Sequence, residues 1–291
     1  MRIISIVNNK GGVGKTTVSR ILAEYFSIVK KERVLALDLD PQANFSNRYL
    51  KMEVDSYQEE GKIPPIHPSY DKNDPDHANW DGRSSIASIF FGEPVYPYQT
   101  YIQNLEVCAS HSSRLLLAEA VTREEVVHKV YDQLAKFLSL EEVKASYDKV
   151  IIDTPPSKGP VTISALRAST DIIIPSIMEP QVIEGIYGMI HLWKTEKLRR
   201  SSDNPLNLIG ILPNSFMSRA IIHKDHLSSL KHEIPEFVLD SVIARRLIYA
   251  EVDADGAVPR SIFMYPDANA AKQEILTTCE EIEERMNVYV D

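Results

Sequence analysis

The sequence predicts an α/β protein of three layers, α/β/α, built on a mostly parallel twisted sheet. Three observations carry this expectation. Short, continuously apolar runs recur along the chain, as in strands buried on both faces of a parallel sheet. Amphipathic stretches of helical spacing fall between them. With 291 residues, 44% hydrophobic and 25% charged, the chain is long enough to bury such a core without covalent staples.

The first run, Arg2-Ile3-Ile4-Ser5-Ile6-Val7, stops at Asn8-Asn9-Lys10-Gly11-Gly12 and reads as a buried strand ending in a glycine-rich turn. From Thr16 to Lys30 the apolar residues Val18, Ile21, Leu22, Tyr25, Phe26 and Val29 follow helical spacing. Val34-Leu35-Ala36-Leu37-Asp38 is the second strand, and Val150–Asp153, Ile172–Pro175 and Leu208–Leu212 are runs of the same kind. Helical patterns cover about 113–139, 160–168, 180–198, 220–231 and 267–286. Residues 51–100 break the rhythm with six of the 17 prolines, most of an acidic block and several aromatics. They read as a surface excursion, with a short helix near Ser84–Phe91 and a disordered or partner-ordered part before it. No linker-like stretch separates two halves, so residues 1–291 are expected to form one domain carrying 51–100 as a Pro-rich acidic insertion.

Composition narrows the function. Cys108 and Cys279 are too few and too distant for a disulfide framework or a thiolate metal site, which suits a reducing cytoplasm. No run approaches the roughly 18 apolar residues of a membrane span, and the N-terminus has no apolar segment of signal-peptide length. A soluble, cytoplasmic protein without a membrane partner is expected. The net charge of −9 is unevenly spread. Residues 53–81 hold eight acids against Lys62 and Lys72, and 273–291 hold six against Arg285. Between His191 and Lys231 seven Lys/Arg outnumber three acids. A local basic patch can bind a polyanion whatever the overall sign.

Lys10-Gly11-Gly12-Val13-Gly14-Lys15-Thr16-Thr17 lies between a predicted strand and a predicted helix, the context of a phosphate-binding loop. Glycines let successive N–H groups turn toward phosphate oxygens, and the helix adds its free amides and positive dipole end. Lys15 would reach the β- and γ-phosphates of a bound nucleotide, Thr16 would ligate Mg²⁺, and Thr17 would donate to the α-phosphate. The strict pattern wants glycine where this chain has Asn9, and Lys10 is an additional lysine at the loop's start. One lysine inside the loop is enough, so Lys10 is a candidate for neutralising charge on a nucleotide held by a facing subunit, as an arginine finger does.

Together with Asp38-Leu-Asp40-Pro-Gln-Ala-Asn44 and Asp148-Lys-Val-Ile-Ile-Asp153-Thr-Pro-Pro-Ser157, this loop resembles the deviant-Walker P-loop ATPases of the ParA/MinD superfamily, most nearly the Soj-like ParA partition ATPases. The likeness covers most of the chain except 51–100. It implies the deviant-Walker P-loop NTPase fold, ATP and Mg²⁺ as cofactors, and slow hydrolysis of ATP to ADP and phosphate, stimulated by a partner. It implies Asp40 as the residue that positions the attacking water, with Lys10 and Lys15 beside it in catalysis. Thr16, Asp38 and Asp153 would serve the metal and its water shell, and Thr154-Pro155-Pro156 would form a stiff turn sensing the γ-phosphate. Adenine recognition would fall to Asn214, with Ala250-Glu251-Val252 closing over the base.

The resemblance also implies a homodimer formed on ATP, nonspecific binding to DNA and a centromere-binding ParB-like partner in plasmid or chromosome segregation, hence a nucleoid-associated location. Arg219, Lys224, Arg245 and Arg246 are the DNA-binding candidates, and Lys197-Leu-Arg-Arg200 is the cluster expected to be a plain solvated face. No N-terminal helix-turn-helix module is expected. Rival readings are a ParA-like ATPase positioning a protein cargo, a MinD-like cell-division regulator and a metabolic P-loop ligase or kinase. The acidic tail Glu280–Asp291 disfavours MinD-like attachment to anionic lipid. Two scattered cysteines disfavour a nitrogenase-type iron protein.

Overall fold

The computed structural model describes residues 1–56, 60–254 and 256–288; Glu59 of the acidic block and Asp291 of the acidic tail lie outside these described residues. Among the described residues the main sheet has seven strands: β1 Arg2–Ile6, β2 Val34–Asp38, β5 Tyr98–Gln99, β6 Leu105–Cys108, β7 Lys149–Asp153, β8 Asp171–Ser176 and β9 Asn207–Pro213. A separate two-stranded ribbon, β3 Glu53–Val54 with β4 Lys62–Ile63, falls in the insertion. The spatial order is β5-β6-β2-β7-β1-β8-β9. Every neighbouring pair is parallel except the edge pair β5–β6.

The helices are α1 Lys15–Glu24, α2 Asn44–Tyr49, α3 Ser112–Glu119, α4 Glu124–Leu138, α5 Glu141–Ser146, α6 Pro160–Ala168, α7 Pro180–Lys197, α8 Ile221–Glu233, α9 Leu247–Glu251 and α10 Ala270–Val288. Side-chain alternation along the strands divides the core between two faces. Ile4, Ile6, Ala36 and Ile151 pack with Ile21 and Leu22 of α1 and Ile275 and Ile282 of α10. On the other face Leu35, Leu37, Val150 and Ile152 meet Leu134 of α4 and Ala165 of α6. Ile172, Ile174 and Leu208 meet Ile186 and Trp193 of α7. These are the three expected layers.

Register fixes where chemistry can occur. Asp153, the last residue of β7, lies opposite Ile6 of β1 on one side and Asp38 of β2 on the other. All three strands therefore end together at the carboxyl edge of the sheet, where open α/β sheets form their ligand crevice.

The structure departs from the expected elements at several points. The single helix expected over 113–139 is two, α3 and α4, separated at Ala120–Arg123. The first helix leaves α geometry at Tyr25 and continues as a π-helical turn to Val29. The excursion at 51–100 is only partly superficial. Ile86, Ala87 and Ile89 of a 3₁₀ turn at Ile86–Phe91 are buried in the core, and Tyr98–Gln99 supplies the antiparallel edge strand.

Candidate nucleotide-binding site

The loop between β1 and α1 is shaped by two left-handed glycines, Gly12 at φ +73° and Gly14 at φ +87°. Gly11 and Gly12 are exposed, and a Cβ on either would meet nothing within 4 Å. Val13 is buried beneath them. The first helical hydrogen bond runs from the Val18 N–H to the Gly14 carbonyl at 3.0 Å, and no side chain caps the amides ahead of it. The first turn of α1 carries no acidic residue. Uncapped amides at a helix N-terminus attract an anion.

Lys15 is 6% exposed and donates from Nζ to the Lys10 carbonyl at 3.1 Å, which bends it back over the loop. Burial lowers its pKa, against the opposing pull of Asp153 and Asp40. Lys10 is placed differently. Its N–H donates to Asn8 Oδ1 at 3.0 Å, while its side chain lies across α7, with Cγ 3.2 Å from where a Cβ on Gly185 would stand. Its ammonium has no acidic or hydrogen-bonding partner within the described chain.

Three carboxylates converge on the loop. Asp153 accepts from Thr16 Oγ1 at 2.7 Å and from Ser19 Oγ at 2.9 Å. Burial pushes its pKa up to about 7, with Asp40 adding repulsion against the hydrogen bonds that hold the charged form. Asp38 is wholly buried and accepts from the Ser46 N–H and hydroxyl at 2.8 and 2.6 Å and from the Asp40 N–H at 3.1 Å. Burial first, then Asp153, raises it well above the usual carboxylate range. Asp40, 8% exposed, accepts from the Gln42 N–H at 2.9 Å; burial raises its pKa and Lys15 lowers it. Asp38 thus spends its oxygens on the loop that carries Asp40. Thr154 donates its hydroxyl to the Ile6 carbonyl at 2.6 Å, so it ties β7 to β1.

A cavity of about 610 Å³ opens beside Gly12, Gly14 and Thr17. Asn214, Tyr249, Ala250 and Asp253 line its far side. Asn214 follows β9 and donates from Nδ2 to the Val13 carbonyl at 2.8 Å. Glu251 is exposed and does not line this cavity; the carboxylate that does is Asp253, paired with Arg20 at 3.1 Å and Arg48 at 3.4 Å.

The residues present fit a nucleoside triphosphate with Mg²⁺. Uncapped amides and one inward lysine suit phosphates, and hard oxygen donors crowded into low dielectric suit a divalent cation. Among the described residues no group of three or more His, Cys, Asp or Glu side chains forms a metal cage by itself. A cation with few protein ligands and several waters is the kind that matches.

Of the residues expected to bind DNA, Arg245 and Arg246 also line the cavity beside the phosphate loop. Phe216 bridges Ala244, and the Arg245 N–H donates to the Phe216 carbonyl at 3.0 Å, which zips the loop bearing Arg219 to the one bearing Arg245 and Arg246. Arg219, Lys224 and Arg245 are exposed, and none pairs with an acid among the described residues. Arg246 does, with Glu274 at 2.8 Å. Arg200 donates to the Ser169 carbonyl at 2.6 Å and to Leu166, closing the end of α6, and Lys197 lies over the Trp193 ring.

Sequence reasoning missed Ser19, Ser46 and Asp253. Ser19 stands three residues after Thr16 on the same helix face, a spacing that could have marked it. Ser46 and Asp253 reach the site through tertiary placement alone.

No helix among the described residues is long and apolar enough to cross a membrane. A family model described as an AAA domain matches residues 1–207. The sporulation initiation inhibitor protein Soj of Bacillus subtilis is 27% identical over 281 residues, covering 97% of this chain and 98% of its own. Among solved structures, the ATP complex of a Cyanothece McdA variant superposes with a TM-score of 0.73 at 19% identity, covering 99% of this chain and 96% of that one. Cobyrinic acid a,c-diamide synthase from Mycobacterium smegmatis, with bound ADP and magnesium, gives 0.64 at 25% identity, covering 87% and 92%.

Proposed function

We infer, since this chain belongs to the Soj-like branch of the ParA/MinD superfamily of deviant-Walker P-loop ATPases, that it is a partition-type ATPase whose ATP-bound form is a dimer on DNA. ATP and Mg²⁺ are its cofactors. The observation that carries the proposal is the division of labour between two lysines. Lys15 folds onto its own loop, whereas Lys10 lies on α7 with an unpaired ammonium. Half-exposed and without an acidic partner among the described residues, Lys10 is free to meet a charge brought by another molecule. A phosphate offered by a second copy supplies that counter-charge.

In this reading the loop amides and Lys15 bind the phosphates, and the triphosphate joins two subunits through the pair of Lys10 side chains. Asp40 orients the attacking water. Asp38 holds the Asp40 loop in place, and Thr16 and Asp153 would hold the metal, Asp153 through its waters. Mg²⁺, when bound, supplies charge neutralisation on the phosphate oxygens. Turnover in this reading rests on positioning and charge and is slow until a partner completes the site. Arg219, Lys224 and Arg245, doubled by dimerisation, would hold DNA phosphates without reading sequence. Segregation of a plasmid or chromosome with a centromere-binding partner in the cytoplasm follows as the cellular role. Residues 1–291 act as one ATPase domain, with 51–100 as its insertion.

Co-sedimentation with nonspecific DNA in ATP, ADP and no nucleotide tests the reading. DNA retention with ATP that is lost with ADP is expected. Retention that is absent or indifferent to nucleotide would contradict it.

A further inference from the structure

The insertion carries a second cavity, of about 450 Å³, remote in sequence from the phosphate loop. Its aromatic walls are Trp80, Tyr96 and His77; Trp80 meets Tyr96 and His77 with ring centroids 5.1 Å apart in each case. Tyr96 is 42% exposed, although it is a large aromatic side chain. The arginines that line the cavity are already neutralised. Arg83 pairs with Glu53 at 2.7 Å, and Arg114 pairs with Glu93 at 2.6 Å while lying over the Phe91 ring. Asp76 and Asp81 line the same cavity, and neither has a cationic partner among the described residues. The charge left uncompensated around the aromatic walls is therefore negative.

We propose that this cavity is a docking site for an arginine side chain of a basic segment in a partner protein. A guanidinium stacks on aromatic faces and is more weakly hydrated than an ammonium, so ring walls with a carboxylate rim favour arginine. The surrounding sequence adds long-range attraction, since eight acids face two lysines over residues 53–81. The walls come from the insertion and from Arg114 of α3, so docking does not depend on nucleotide at the phosphate loop.

Fluorescence anisotropy of a labelled peptide of alternating arginine and glycine, titrated with the full chain, tests this. The control is the same peptide with citrulline, which keeps the shape of arginine and removes its charge. The arginine peptide is expected to bind equally with and without ATP, and the citrulline peptide at least about tenfold more weakly. Tyr96→Ala and the pair Asp76→Asn/Asp81→Asn should each weaken the arginine peptide by about tenfold, and Trp80→Phe, which retains a ring, by about threefold or less. Glu280→Gln/Glu284→Gln in the acidic tail should leave binding unchanged. Equal affinity for both peptides, or no loss in Tyr96→Ala and the Asp pair, would overturn the proposal. Loss of binding only on removing ATP would overturn it too, by assigning the peptide to the nucleotide site instead.

Discussion

The Asn214 amide stands so close to Gly14 that a Cβ on that glycine would lie 2.0 Å from Asn214 Nδ2. The end of β9 thereby fastens a loop 201 residues earlier in the chain, through the bond to the Val13 carbonyl. Gly14 also sits at φ +87°, where a side chain is strained.

Gly14→Ala should therefore damage the phosphate cradle twice, by backbone strain of about 1–2 kcal/mol and by displacing Asn214. Affinity for a fluorescent ATP analogue is expected to fall by at least about tenfold. Wild-type affinity would show that the contact between Asn214 and the loop does not shape the cradle.

Asp40→Ala should separate binding from turnover. Among the described residues the Asp40 carboxylate accepts only from the Gln42 N–H of its own loop, so nucleotide affinity should stay near wild type. ATP hydrolysis should drop on the order of 10²-fold, the scale expected when a water-orienting group is removed. A phosphate-release assay at saturating ATP reads the turnover; a normal rate would remove Asp40 from the chemistry.

The buried carboxylates give the nucleotide-free protein an unusual pH dependence. Asp153 has a pKa of about 7 when folded, mainly through burial, against about 3.9 for an unfolded Asp. Between those values the folded state binds more protons, so stability falls as pH rises, by up to about 1.4 kcal/mol per pH unit for one retained proton. Urea denaturation in EDTA between pH 5 and 7.5 should show this slope, and Asp153→Asn should flatten it. A stability that rises with pH across that window would contradict the assignment.

Arg245→Ala should weaken DNA retention more than ATP affinity, although Arg245 also borders the cavity beside the phosphate loop. For each DNA phosphate that the variant no longer neutralises, the log–log salt slope should become shallower by about 0.9. Arg246→Ala should act less on DNA and more on the fold, because its guanidinium is held by Glu274. An unchanged salt slope in Arg245→Ala would take that residue off the DNA surface.

Much of this architecture was legible in the chain. β1, β2, β7, β8 and β9 are predominantly apolar runs, and the glycines and acids at their carboxyl ends marked the crevice. β6 was not legible: it has only four residues, and Glu106 interrupts them. The break between α3 and α4 was hidden because apolar Val121 continues the helical spacing across it. The roles of individual acids were harder to read. Nothing local to Asp38 announces that Ser46 will take one of its oxygens, or that Asp253 rather than Glu251 will face the cavity. Those contacts arise from how distant elements pack.

In the proposed dimer, Lys10 works on the other subunit's nucleotide. Sedimentation velocity with saturating ATP, in an Asp40→Ala background that keeps the triphosphate intact, tests it most directly. A dimer is expected when Lys10 is present and a nucleotide-loaded monomer in Lys10→Ala. A monomer with Lys10 in place, or an equally stable dimer without it, would contradict it.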